Sequence, residues 1–135
     1  MSDSLYQDAL LKLAREAPRQ GRLEPNDVSV RLDNPLCGDR VRLDLRMSGP
    51  KIAELAHEVR GCVLCQAAAG IVGLHAVGLD RAGVAALAAD VDRVLSGQDP
   101  VCDALRSFAP VASHRSRHDC VLLPFQALKE SMKGG

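Results

Sequence analysis

The segment VSVRLDNPLCGDRVRLDLRM, residues 28–47, decides the fold. Apolar and polar residues alternate on both sides of a short turn, Asn34 to Asp39, which predicts two half-buried strands joined as a hairpin. Ser48-Gly49-Pro50 predicts a second turn, and the following residues, Ile52 to Val59, predict a third antiparallel strand. The three strands are expected to form a meander with one face toward solvent.

Outside this meander the apolar residues recur at helical spacing. The spacing and the Pro and Gly positions predict helices at residues 2–17, 63–77, 81–95, near 101–108 and at 119–132, with a loop at 113–117. Strands followed by helices indicate an α+β fold, in which a three-stranded antiparallel sheet packs against about five helices. Residues 1–135 are expected to form a single domain.

The composition argues against several classes of function. Lys plus Arg and Asp plus Glu both number 17, so no net charge attracts the chain to nucleic acid or to an anionic membrane surface. One Tyr, two Phe and no Trp give no platform on which bases would stack. The longest apolar stretch, residues 63–77, is shorter than the roughly 20 residues of a membrane span. Five cysteines, an odd number, favour reduced thiols and a cytoplasmic protein.

Three cysteines fall at predicted turns or element ends: Cys37 in the hairpin turn, Cys62 after the third strand, and Cys120 at the start of the last helix. Asp39 lies two residues after Cys37, where both side chains can face one ion. The topology can bring the hairpin tip, the strand end and the helix start to one end of the sheet. Cys37, Asp39, Cys62 and Cys120 are therefore the candidate ligands of Zn²⁺ or of a 2Fe-2S cluster.

Several neighbours of these ligands are also candidates for a role. Arg60, Arg117 and His118 are expected to offset the charge of the thiolates or to donate hydrogen bonds to sulfur. Cys65, three residues after Cys62, is interpreted as a small buried helix residue, with an additional ligand or a second reactive thiol as the alternatives.

Motifs spread over almost the whole chain point to one family. The chain resembles the U-type iron–sulfur cluster assembly proteins, which comprise IscU, SufU and the N-terminal domain of NifU. The matching pieces are Leu5-Tyr6-Gln7, Pro18-Arg19, Asn34-Pro35-Leu36-Cys37-Gly38-Asp39, Gly61-Cys62 before an alanine-rich helix, and Arg117-His118-Asp119-Cys120-Val121-Leu122-Leu123. The Asn-Pro-x-Cys-Gly-Asp motif is the most specific of these pieces.

Within that family the chain is most similar to the SufU branch. It lacks the Leu-Pro-Pro-Val-Lys motif of Isc-type proteins, and Asp119, rather than His, precedes Cys120. The resemblance implies a scaffold or a zinc-dependent sulfurtransferase, with zinc or a nascent cluster on the Cys37, Asp39, Cys62 and Cys120 set. It further implies sulfur acceptance from a SufS-like cysteine desulfurase, with Cys37 as the first candidate acceptor and Cys120 as the second. A downstream cluster carrier or an apo-protein would then receive the cargo.

Two other interpretations stay open from the residues alone. Cys62-Val63-Leu64-Cys65 has the spacing of a thiol–disulfide redox pair, which normally lies in a βαβ unit. A purely structural zinc site in an interaction module is the second alternative.

Overall fold

The computed structural model describes residues 3–36 and 38–133, with the side chains of residues 3–6 not described. The elements in chain order are α1 (Asp3–Glu16), β1 (Val28–Asn34), β2 (Asp39–Ser48), β3 (Lys51–Arg60), α2 (Val63–His75), α3 (Arg81–Leu95), a 3₁₀ helix (Asp103–Ser113), a short 3₁₀ turn (Arg115–Arg117) and α4 (His118–Ser131). The expected α+β fold, with a three-stranded antiparallel sheet and helices beside it, is confirmed.

The sheet has the order β1-β2-β3, and both pairs of neighbours are antiparallel. Val41, Leu43 and Leu45 of β2 point inward and are fully buried, which is the outcome that the period-2 pattern predicts. Helices α2 and α4 cover this inner face, and α1 and α3 lie against them. The opposite face carries most of the charged residues of the three strands, whereas Asp39 is buried on the inner face.

Helix α2 is buried along most of its length because Ala, Gly, Ile and Val occupy almost every position. It ends at His75, two residues earlier than expected. His75 itself is exposed. The described residues contain no helix long and apolar enough to cross a membrane.

The segment after α3 differs from its prediction. An ordinary helix ending before Pro110 was expected, but the chain forms a 3₁₀ helix that continues through Pro110 to Ser113. Its buried residues Leu105, Phe108 and Val111 recur every third position, the period at which a 3₁₀ helix presents one face to the core. The expected loop at 113–117 likewise contains the short 3₁₀ turn.

The outer edge of β3 is covered by the segment between α1 and β1. Gly21 N–H donates to His57 O at 2.8 Å, and His57 N–H donates to Arg19 O at 3.1 Å. Arg19 Nε also donates to the carbonyl of Gly73 in α2 at 2.9 Å. The Pro18-Arg19 pair therefore joins a strand edge to the central helix, and an edge covered in this way is protected from pairing with another chain.

Candidate metal centre

Asp39 begins β2, and its carboxylate lies inside the protein at the hairpin end of the sheet. Its backbone is opposite Asn34 in the register, and Gly38 N–H donates to Asn34 O at 2.8 Å across the turn. Gly38 has a φ of +77°, a conformation that glycine adopts without steric cost. The turn therefore ends with the Asp39 side chain only 3% exposed.

Cys62 lies directly above this carboxylate, at the N-cap of α2. Its backbone N–H donates to Asp39 Oδ1 at 3.2 Å, and its Sγ is 3.8 Å from Asp39 Oδ2. Asp39 thus accepts a hydrogen bond at a helix N-terminus, where the helix dipole favours negative charge.

Gly61 allows these two residues to approach each other. A Cβ at this position would lie 2.6 Å from Asp39 Oδ1 and 2.8 Å from Asp39 Cγ. Any side chain here would therefore displace the carboxylate. This packing role was not predicted from the sequence, where Gly61 counted only as part of a motif; the signal for it was a glycine directly before a candidate ligand.

Cys120 completes the cluster from the first turn of α4. The candidate ligand atoms of Asp39, Cys62 and Cys120 all lie within 4.8 Å of one another. Cys120 is 3% exposed, and burial, followed by the neighbouring Cys62 and Asp39, raises the pKa of its thiol well above its usual range. The thiol is therefore protonated at neutral pH until a cation takes the place of that proton.

The donor set fits a soft or borderline metal ion. Tetrahedral zinc with a Zn–S bond of about 2.3 Å and a Zn–O bond of about 2.0 Å separates the sulfur from the oxygen by roughly 3.5 Å. The Cys62 sulfur and Asp39 Oδ2 are 3.8 Å apart, within a few tenths of an ångström of this separation. Two sulfurs and one oxygen leave one tetrahedral position, for which Cys37 is the predicted ligand. Cys37 lies outside the described residues, between Leu36, which is 90% exposed, and Gly38.

His118, Arg117 and Arg60, the residues predicted to support the ligands, have different surroundings in the fold. His118 Nε2 is 3.1 Å from the carbonyls of both Val111 and Ala112, so its ring is held by the 3₁₀ helix. Arg117 is exposed, and its action on the ligand sulfurs stays a prediction. Arg60 ends β3 on the outer face of the sheet, opposite Arg40 of β2, whereas Asp39 points inward, so Arg60 is not placed beside the ligand atoms.

The other two cysteines lie outside the cluster of ligand atoms. Cys65 is fully buried in α2, as the sequence predicted. Cys102 is half-buried at the N-cap of the 3₁₀ helix, where its N–H donates to Asp90 Oδ2 at 2.7 Å. Among the residues described, the group that brings three possible metal ligands together is Asp39, Cys62 and Cys120.

Comparison with known proteins finds similarity along nearly the whole chain. The family model described as NifU-like N terminal domain matches residues 5–110. The iron-sulfur cluster assembly scaffold protein IscU of Streptococcus pyogenes is 28% identical over 133 residues, covering 96% of this chain and 83% of that protein. The zinc-dependent sulfurtransferase SufU of Bacillus subtilis is 23% identical over 134 residues, covering 96% and 90%. The crystal structure of a NifU-like protein (N-terminal) from Brucella abortus has a TM-score of 0.90 at 27% identity, covering 97% of this chain and 94% of that one.

Proposed function

This chain belongs to the NifU-like N-terminal domain family, and we propose that it serves iron–sulfur cluster assembly by holding a metal ion or nascent cluster on Cys37, Asp39, Cys62 and Cys120. The observation that carries the proposal is the convergence of Asp39, Cys62 and Cys120 within 4.8 Å from three separate elements. The names of the relatives, a cluster assembly scaffold and a zinc-dependent sulfurtransferase, support the same function.

Both zinc and a 2Fe-2S cluster suit these ligands. Three thiolates and one carboxylate around Zn²⁺ leave a charge of about −2, and the same ligands around an oxidised two-iron cluster give the same total. A bound zinc ion would keep the coordinating thiols deprotonated. The Asp39 oxygen is a weaker partner for a soft ion than a fourth sulfur, which favours a site that releases its cargo.

Sulfur would arrive on a cysteine thiolate of this chain. In that step the thiolate attacks the outer sulfur of a desulfurase persulfide, the donor S–S bond breaks, and the desulfurase cysteine leaves as a thiolate. The accepting cysteine keeps the sulfur as a new persulfide, and no oxidant is consumed. Cys120 is poorly placed for this attack because it is buried. We therefore assign acceptance to Cys37, which is next to the exposed Leu36.

The partners follow from this chemistry. A cysteine desulfurase would supply the persulfide, and a cluster carrier or an apo-protein would take the product. Leu36 and Val63, the neighbours of Cys37 and Cys62, are 90% and 41% exposed and would form an apolar rim for either partner.

The redox alternative receives little support from the geometry. Cys65 is fully buried, and α2 follows a strand of an antiparallel meander instead of lying in a βαβ unit. A purely structural zinc site would be expected to hold its ion with sulfur and nitrogen ligands alone. The buried carboxylate of Asp39 in the cluster favours an exchangeable site.

Metal analysis and a desulfurase assay test the proposal together. The purified protein is expected to carry about one zinc per chain, and to raise the turnover of cysteine by a SufS-like desulfurase under reducing conditions. Cys37→Ser, Cys62→Ser and Cys120→Ser should lose the metal, whereas the half-buried control Cys102→Ser should retain it. Metal that survives Asp39→Ala but is lost with Cys65→Ser would show that the ligand set is wrong. Absence of both activation and a reconstituted cluster would reject the function.

A further inference from the structure

The outer face of the sheet carries four arginines beside the metal centre. In the register, one row across the strands is Asp33, Arg40 and Arg60, and the next is Arg31, Arg42 and Glu58. The first row is next to the cluster in the sequence. Arg40 directly follows Asp39, and Arg60 lies two residues before Cys62. Asp39 points inward and the arginines point outward, so the two sites occupy opposite faces of the same sheet end.

This arrangement places like charges opposite each other. Arg31 faces Arg42, and Arg40 faces Arg60, as direct cross-strand partners. Such pairs destabilise a sheet unless another charge offsets them. Arg40 donates to Asp33 at 2.9 Å and Arg42 to Asp44 at 3.2 Å.

Arg31 and Arg60 carry the positive charge that is not offset, because neither forms an ion pair among residues 3–36 and 38–133. Together with Arg40, Arg42, Gln20 and the single acid Glu58 they line a groove of about 400 Å³. Guanidinium groups bind carboxylates through two parallel hydrogen bonds, so a groove with four of them is suited to carboxylate side chains.

We propose that this groove docks an acidic segment of the protein that exchanges cargo with the metal centre. The inference rests on the proposed function for the partner's purpose, and on the four arginines for its chemistry. A segment anchored here would hold its protein against the hairpin end of the sheet, where Cys37 lies in the sequence. A nucleic acid is a poorer match because Glu58 lies in the groove and the chain as a whole has no net charge.

The test uses a fluorescent decapeptide of alternating Glu and Ser, titrated with the full chain and followed by anisotropy in low salt. The same peptide with Gln in place of Glu reports binding that does not need charge. Arg31→Glu/Arg60→Glu is the test variant, since neither residue has an ion pair to lose within the described part of the chain. Arg93→Glu/Arg106→Glu, exposed arginines on α3 and the 3₁₀ helix, makes the same charge change on the helical side.

The Glu peptide is expected to bind the wild type more tightly than the Gln peptide does, and its affinity should fall as the salt concentration rises. Arg31→Glu/Arg60→Glu should weaken it about tenfold, because two attractions between charges become repulsions. The helical-side control should stay within about twofold of the wild type. Equal binding by both double variants, or displacement by inorganic phosphate or a DNA duplex as readily as by unlabelled peptide, would overturn the proposal.

Zinc content measured on the same samples keeps the two proposals separate. The wild type and both double variants should carry the same metal content, which supports docking as a function apart from metal binding. Zinc lost only from Arg31→Glu/Arg60→Glu would mean that the arginines support the metal centre, and this would overturn the docking role. Zinc absent from every sample would reject the metal proposal while the peptide titration still decides the docking proposal.

Discussion

Gly61→Ala tests how closely the fold must bring Asp39 to the start of α2. The new Cβ would lie 2.6 Å from Asp39 Oδ1, whereas non-bonded heavy atoms rest at about 3.5 Å or more, so the carboxylate must retreat by about 0.9 Å or more. Metal–ligand distances tolerate only about 0.2 Å. We expect zinc affinity to fall roughly 10- to 100-fold, the range seen when groups that orient ligands are removed.

The same substitution should also weaken the metal-free protein. Displacement of Asp39 removes the acceptor of the Cys62 N–H, and a poorly satisfied polar group costs roughly 1–3 kcal/mol of unfolding free energy. Competition with a chromophoric zinc chelator measures the affinity, and urea unfolding measures the stability. Gly83→Ala, in α3, is the control, because its Cβ would meet the Leu79 side chain at 3.0 and 3.2 Å and Asp80 Oδ1 only at an ordinary contact distance of 3.5 Å. If Gly61→Ala matches the wild type in both assays, the reasoning about this close approach is wrong.

Two further predictions concern the contacts of the Pro18-Arg19 pair with β3 and α2. Gly73→Ala should lower the free energy of unfolding by roughly 1–3 kcal/mol, because its Cβ would overlap the carbonyl oxygen of Pro18. Urea unfolding measures this change, with Gly83→Ala as the control. An unchanged urea midpoint in Gly73→Ala would contradict the prediction. His57 has a pKa lowered from 6.5, chiefly by burial and despite its contact with Pro18 O, so the unfolded chain binds its proton more readily. Stability should therefore fall as pH drops below about 6.5, and His57→Gln should flatten this dependence; equal slopes of urea midpoint against pH in both proteins would refute it.

The sequence predicted the meander well because one face of each strand is buried and the other is wet. Under that condition the alternation of apolar residues fixes both the strand positions and the direction of each side chain. The break at Gly78-Leu79-Asp80 and the glycine at position 97 likewise placed α3 at its observed bounds, Arg81–Leu95. Local chemistry was sufficient for these elements.

Other features depend on contacts that no local pattern encodes. The 3₁₀ helix was missed because Pro110 normally ends an α-helix, and the three-residue spacing of its buried side chains was not considered. Asp44 and Asp90 are polar residues that the fold buries to accept backbone hydrogen bonds, from Leu23 and from Val101 and Cys102. Their burial is decided by tertiary neighbours.

The candidate site likewise has features that the local sequence predicts and features that depend on tertiary contacts. Glycine and cysteine positions at turns and helix starts predicted which residues would lie at one end of the sheet. The distances among Asp39, Cys62 and Cys120, and the need for glycine at position 61, depend on how α2 and α4 pack against the sheet. The participation of Cys37 stays a prediction from the sequence.

X-ray absorption at the zinc edge of the purified protein tests the central proposal most directly. The account predicts one zinc with three sulfur ligands at about 2.3 Å and one oxygen at about 2.0 Å, and the sulfur count should fall by one in Cys37→Ser reloaded with zinc. Four sulfur ligands in the wild type, or a shell of oxygen and nitrogen alone, would contradict the assignment of Cys37, Asp39, Cys62 and Cys120.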